Sequence, residues 1–313
     1  MTDVSQIAPP PPNRRFPLIS NPVVIKELRG RMRGMRAFVV MTIYLTLMSG
    51  FTTLLYVLFS ASLNAYGFTS GGQIGRVLFA GIVGVELFLV TFIAPTFTAG
   101  AISGERERQT YDLLRTTLLP AHRLVIGKLI SALSYVTLLL LAAIPLQSIA
   151  FLFGGVTEIE IVLAFVILFV TAVALGSVGI YFSSVMQRTL TASVMTYGVA
   201  MFITLGLPVI LFIILSLLGS FLTTSTPSPT TQAILTYVGG AFVATNPLAT
   251  AWTTEYLLVQ NRHIGFFTQT LIGQNQSLTI PLVSPWIVFT IFYLIVSVIL
   301  VLLAIRRIRR IDQ

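Results

Sequence analysis

Chemistry in this sequence is confined to a few polar side chains, and the most isolated is Glu86. It stands inside a long apolar run, where a mid-helix carboxylate in a membrane costs about 2.5–3.5 kcal/mol. Such a group is protonated in a packed interface, hydrogen-bonded to another helix such as the one bearing Gln147, or open to a translocation cavity. A second concentration is Glu105-Arg106-Glu107-Arg108, which ends the same apolar run abruptly. A third is Lys26, Arg29, Arg33 and Arg36 near the N-terminus. The chain has no Cys, which excludes disulfides, thiolate metal sites, iron–sulfur clusters and cysteine nucleophiles. Its two histidines, His122 and His263, fall in different expected compartments, so no two-histidine zinc site forms within one chain. No glycine loop ending in Lys-Ser or Lys-Thr occurs, so the chain is not expected to hydrolyse ATP. No catalytic residue, metal or bound cofactor is predicted, and the chain is not expected to be an enzyme.

Apolar helices must position these groups. Hydrophobic residues make up 55% of the chain and charged ones 9%, against roughly 25% charged in soluble domains. Apolar runs near 37–60, 77–103, 124–153, 159–185, 190–222 and 285–305 reach the roughly 20 residues that cross a hydrocarbon core. The expected fold is an all-α integral membrane protein whose domain at 37–305 holds six transmembrane helices. Pro95, Pro145 and Pro208 mark expected kinks. Gly81 with Gly84, and Gly100 with Gly104, have spacing that permits close helix contact. Residues 1–20, proline-rich and without an apolar core, read as a disordered cytoplasmic tail and not as a secretory signal. Residues 306–313 read as a basic cytoplasmic tail.

Lys and Arg divide 17 to 2 between the two sides of a six-span topology, with only Arg76 and Arg262 on the minor side. That asymmetry places both termini and the loop near 104–123 in the cytoplasm. The net charge of +9 is then a topology signal, and no nucleic-acid partner is expected. The stretch 223–284 is long for a connection. A seventh span over the moderately apolar 232–258 would weaken the split to 14 to 5. Gly239-Gly240 and Asn246-Pro247 interrupt it, which favours an extracellular re-entrant or interfacial hairpin. Trp252, Tyr256 and Trp286 read as interfacial anchors.

Two short segments outside the spans carry a helical pattern. In 21–36, Asn21 can cap a helix whose first residue is Pro22. Val24, Leu28, Met32 and Met35 share one face, and Lys26, Arg29, Arg33 and Arg36 another, as in an amphipathic helix lying on the inner leaflet. In the loop after the second span, Tyr111, Leu114 and Leu118 recur at helical spacing with Leu113 beside them, until Pro120 stops the pattern. A short helix of this kind needs somewhere to bury its apolar side, and a groove on another protein would serve.

The run from Pro95 through Ala99-Gly100-Ala101-Ile102-Ser103-Gly104-Glu105-Arg106-Glu107, with Thr110, Leu113-Leu114, Thr117, Pro120 and Gly127-Lys128, resembles the signature of ABC-type permeases of the type-2 exporter family. The Asn-Pro-x-x-x-Lys-Glu-Leu opening at 21–28 is similar to that family's N-terminal segment. Gln109 departs from the pattern, since many members carry Gly there. The remaining chain agrees only in hydropathy and span order. The resemblance implies a permease that pairs with a second permease, identical or not, and with two cytoplasmic ATPases that hold ATP and Mg. It makes the loop at 105–119 a coupling helix, with Glu105, Arg106, Glu107, Arg108, Thr110, Tyr111, Leu113, Leu114 and Leu118 as contact residues. It makes 21–36 the connecting helix and 223–284 the extracellular re-entrant hairpin, in the cell membrane of a prokaryote.

The function expected on this basis is ATP-driven export, with the path at a dimer interface along spans two and five. Glu86, Pro95 and Pro208 would give that path polarity and bending. Few charges in the spans favour a lipid or other amphiphile as cargo. A secondary carrier or channel would bury several polar groups along its path, which Glu86 alone supports poorly. An intramembrane enzyme would need paired glutamates and histidines at membrane depth.

Overall fold

A computed structural model describes residues 24, 27, 30, 35–66, 71–109, 120–222, 228–261, 264–272 and 277–311. Val24, Glu27 and Gly30 are helical. The chain then runs through α1 (Met35–Tyr66), α2 (Gly71–Thr98), the short α3 (Ser103–Glu107), α4 (Ala121–Leu152) and α5 (Glu158–Val185). Next come α6 (Thr189–Met201), a π-helical turn (Phe202–Gly206), α7 (Leu207–Leu222), α8 (Pro229–Val243) and α9 (Pro247–Asn261). The chain closes with β1 (Phe266–Ile272), β2 (Ser277–Val283) and α10 (Pro285–Ile311). Among the described residues, six helical segments are long and apolar enough to cross a membrane: α1, α2 with α3, α4, α5, α6 with its π turn and α7, and α10.

α5 is the helix most enclosed by its neighbours. Leu168, Ala172 and Leu175 belong to a buried cluster with Leu78, Ile82 and Leu87 of α2 and with Leu139 and Leu140 of α4. Helices so apolar still carry hydroxyls, and a spanning helix has no water to satisfy them. Thr91 donates to Leu87 O, Thr98 to Ala94 O and Thr171 to Ile167 O, each one turn back. The hydroxyls thus enter the core without seeking partners elsewhere. Gly179 marks a close approach of α5 to α2: a Cβ there would collide with the Thr98 side chain.

The loop between α4 and α5 needs glycine at two positions. Gly154 and Gly155 have φ of 84° and 82°, in the left-handed region. Gly155 also lies against the backbone of Gly72, and Arg76 Nε donates to Gly155 O at 2.7 Å. Immediately after it, α5 opens with a capping box in which Thr157 N donates to Glu160 Oε2 at 3.1 Å.

The all-α expectation requires one correction: part of 223–284 folds as a β-hairpin. β1 and β2 pair antiparallel with Phe266 opposite Val283 and Ile272 opposite Ser277. Leu271, Ile280 and Leu282 of the hairpin pack on Ala233 of α8, and Tyr237 Oη donates to Pro281 O at 2.8 Å. Trp286 Nε1 donates to Ile264 O at 2.7 Å, which pins the entry of the hairpin to the start of α10. α8 and α9 are 15 residues each, about 22 Å long at 1.5 Å per residue and shorter than a core of about 30 Å. The chain turns between them at 244–246, while Gly239 and Gly240 lie inside α8. The expected interruption at those glycines is therefore absent, because a helix tolerates Gly at about 1 kcal/mol.

Candidate functional site

One end of the helical bundle gathers most of the described basic residues: Arg106, Arg108, Arg123 and Lys128 near the α2–α4 connection, and Arg306, Arg307, Arg309 and Arg310 on the last turns of α10. A small apolar cluster holds this end together, with Ile102, Val125, Ile180, Ala304 and Ile308 drawn from four segments. It gives the charged groups a fixed floor.

Lys128 lies two turns inside α4, with its side chain only 4% exposed. Its Nζ is 3.2 Å from Glu27 Oε1 and 3.1 Å from Glu105 Oε1. One ammonium thus joins three separate segments: the N-terminal helical residues, α3 and α4. The two carboxylates keep 22% and 29% exposure, so the node is dry on the lysine side and wet on the acid side. Charge-assisted bonds in such a setting are stronger than neutral ones and fix position as well. Beside the node opens a cleft of about 330 Å3, lined by Glu27, Phe97, Gly100, Glu105, Arg108 and Lys128.

α3 is tied just as closely to the opposite flank. Ser183 Oγ, on the last turn of α5, accepts from Ile102 N at 2.8 Å and Ser103 N at 3.0 Å. These are N–H groups at the start of α3, which its own short helix cannot satisfy. Arg106 Nη1 donates to Met186 O at 3.3 Å. Glu107 takes Thr189 N at 2.8 Å on one oxygen and Thr189 Oγ1 at 2.7 Å on the other, placing a carboxylate at the N-terminus of α6. Gly100 and Gly104 give Thr189 its room, since a Cβ on Gly100 would stand 3.0 Å from Thr189 Cγ2. Gln109 has φ of 56°. It adopts the left-handed conformation that glycine favours, at the position where the sequence departs from the glycine expected of it.

Glu105, Arg106 and Glu107 are therefore brought together, each on a different neighbour, and Arg108 caps α3 and faces the cleft. Thr110, Tyr111, Leu113, Leu114 and Leu118 lie outside the described residues, as do Lys26, Arg29 and Arg33. Arg36 belongs to the backbone of α1. Lys128, Ser183 and Thr189 were not singled out as site residues in the sequence. A lone lysine inside the apolar run of α4 was the one available signal.

Glu86 is fully buried between α2, α1 and α4, and Gln147 Nε2 donates to its Oε2 at 2.7 Å. Tyr44 of α1 belongs to the same apolar cluster as the α2 and α4 residues around them. The carboxylate faces a packed interior, and Glu86 lines none of the three larger cavities formed by the described residues. Glu86→Gln should keep the pairing with Gln147 and leave the unfolding midpoint close to native, whereas Glu86→Leu should lower stability by about 1–3 kcal/mol by stranding Gln147. Thermal unfolding in detergent compares the two, and equal midpoints would remove the pair from the stability of the bundle.

Pro95 lies near the end of α2, which stops at Thr98. Pro208 follows the π turn, and its missing N–H releases carbonyls one turn earlier. Asn246 satisfies them: its Nδ2 donates to Ile203 O at 2.7 Å and Thr204 O at 3.1 Å. The same side chain accepts Ala249 N at 2.8 Å through Oδ1 and so caps α9.

At the far end of the bundle, Glu255 of α9 stands near Glu160 of α5 and Arg76 of α2. Burial, and then the Glu160 carboxylate, push the Glu255 carboxyl up to about 7, with Arg76 pulling the other way. A carboxyl raised in the folded state contributes stability that is present below its unfolded pKa and fades as pH rises toward about 7. Glu255→Gln should thus match the native chain at about pH 4–5 and melt higher than it at about pH 8. The same difference at both pH values would show that Glu255 does not titrate in this range.

Among the described residues, no three His, Asp or Glu gather as a metal site. No protein-family model matches this chain, and no curated protein matches it in sequence.

Proposed function

We propose that this chain is the membrane-spanning subunit of an ATP-driven exporter, coupled through residues 105–119 to separate ATPase subunits. The observation that carries this reading is the anchoring of α3. Glu105 holds α4 and the N-terminal helical segment through Lys128, while Ser183, Met186 and Thr189 hold α3 to α5 and α6. A push delivered to the residues just after Gln109 would reach four helical segments through bonds of about 3 Å. That is what an energy-input lever requires. A structural loop with no partner would need no such fastening on both flanks.

The path would lie between two copies or two related chains. α6, the π turn and α7 leave Leu190, Val194, Leu205 and Phe212 uncovered, with Phe88 of α2 exposed nearby, and Tyr197 Oη donates to Phe92 O to join α6 to α2. This apolar face from spans two and five suits a second permease flanked by lipid. Glu86 belongs to helix packing in this scheme, and Pro208 supplies the bend. The basic end would be cytoplasmic, by the excess of Lys and Arg there.

Co-purification tests the reading. The solubilised chain, co-expressed with a candidate partner ATPase, should retain that ATPase, and Leu114→Glu together with Leu118→Glu, which spare the Lys128 node and the cap of α6, should release it without loss of the folded permease. Failure to retain any nucleotide-binding partner would count against the exporter role. Transport that stops with protonophore while ATP is present would point to a carrier.

A further inference from the structure

Opposite the basic end, α2, α5 and α9 line a partly open cavity of about 130 Å3. Phe79, Val83, Leu87, Leu163, Ile167 and Leu248 make its walls. An apolar cavity of about 150 Å3 accommodates benzene, so this one is of a size for a small ring or an alkyl chain of about six carbons. Its polar lining comes from Glu160, Thr254 and Glu255.

Thr254 is 3% exposed, and its Oγ1 has no hydrogen-bond partner. That sets it apart from Thr250 on the same helix, whose hydroxyl donates to Val243 O. A buried hydroxyl without a partner costs about 1–3 kcal/mol, which a ligand group can recover. Glu160 is 5% exposed and its Oε2 is engaged by Thr157 N. Arg76, the cation closest in effect to Glu255, spends its Nε on Gly155 O. Two carboxylates and a hydroxyl therefore converge on an apolar pocket.

We infer that this cavity binds a primary ammonium carried on a small apolar body, with its N–H groups meeting Glu160, Glu255 and Thr254 and its hydrocarbon lying against Phe79, Val83, Leu87 and Leu163. An ammonium presents three donors, matching three acceptor groups. Two carboxylates repel an anion, and a quaternary ammonium brings charge without a donor. Burial raises Glu255 toward neutrality, and a bound cation would restore its charge. The ammonium can come from a membrane lipid whose amine stands directly on its hydrocarbon or from a free amphiphilic amine. The inference does not rest on the exporter reading, because it concerns one chain and is read without ATP or transport.

The full chain is placed in phosphatidylcholine nanodiscs at about pH 8, where Glu255 is mostly ionised and an alkylamine is still charged. Of the two tryptophans, Trp252 lines the cavity, so Trp286→Phe leaves a single reporter there. Hexylamine should change Trp252 fluorescence saturably, and hexanol and hexyltrimethylammonium should bind about tenfold or more weakly. Glu255→Gln and Thr254→Val should each weaken hexylamine by about tenfold, the second without loss of stability because it removes an unpartnered hydroxyl.

Gly84 lines the cavity, and a Cβ there meets open space. Gly84→Leu should fill the site and abolish the response while melting no lower than the native chain, since Leu is the better helix former. A response that does not saturate, that hexanol reproduces, or that survives all three substitutions would be partitioning into the bilayer and would overturn the inference. Discs containing sphingosine, whose ammonium stands directly on its hydrocarbon, separate the sources. Competition with hexylamine assigns the site to such a membrane lipid, and undiminished hexylamine affinity assigns it to a free amine.

Discussion

Lys128→Met is expected to lower the stability of the chain by about 2–4 kcal/mol and to loosen the N-terminal helical segment from α3, because it removes the buried cation that Glu27 and Glu105 share. The native ammonium is 4% exposed and bonded to both Glu27 and Glu105, so one substitution breaks both ion pairs. The effect should sit toward the lower part of that range, since the acids are partly open to water and screened there. Thermal unfolding followed by size exclusion reads the loss. Adding Glu27→Gln and Glu105→Gln to Lys128→Met should recover most of it, as the buried cation and the two acids it holds are then neutralised together. If Lys128→Met melts with the native chain, the node contributes only geometry. On the exporter reading, the same variant should also uncouple ATP hydrolysis from transport while leaving the ATPase bound, because the lever would have lost its fastening to α4.

The second large effect is expected at Asn246→Ala, which should cost about 3 kcal/mol. The substitution removes two hydrogen bonds to the carbonyls of Ile203 and Thr204 and one from Ala249 N. Each group left bare in an apolar setting costs about 1–3 kcal/mol, partly relieved by local adjustment. The test lies in its dependence on Pro208. Proline takes away the N–H that would otherwise meet one of those carbonyls, so Pro208→Ala restores an internal partner. Asn246→Ala should therefore be milder in a Pro208→Ala background, and a double-mutant cycle should show coupling of about 1 kcal/mol or more. Additive effects would separate the bend in the fifth span from α9. Coupling would mean that the bend and the cap of α9 form or break together, linking the fifth span to the segment before the last helix.

Much of the architecture was legible because the solvent is so restrictive. A bilayer accepts only long apolar helices from a chain like this one, and six of them stand where the hydropathy put them. The partnership of Glu86 with Gln147 was also within reach, as two isolated polar groups in neighbouring apolar runs have few alternatives to each other. The β-hairpin was not legible: FFTQTLI and SLTIPLV are short, and their alternation was hidden inside a stretch read for membrane depth. Of the two interruptions read in this stretch, the one at Asn246-Pro247 coincides with the turn at 244–246, while Gly239-Gly240 stays helical because glycine weakens a helix without ending it.

Sequence alone determined where the apolar runs lie, which end of the bundle is basic and which segment is rich in charge between two spans. Those are properties of residue type and spacing, and they survive whatever the helices do next. Only the tertiary structure decided that Lys128 joins Glu27 to Glu105, that Glu107 caps α6, that Asn246 serves Pro208, and that Glu160, Thr254 and Glu255 meet at one cavity. Each of these pairs residues far apart in the chain, and such a distance closes only when helices pack face to face. The angle and rotation of that packing come from close contacts such as Gly179 on Thr98 and Gly155 on Gly72, which hydropathy does not encode.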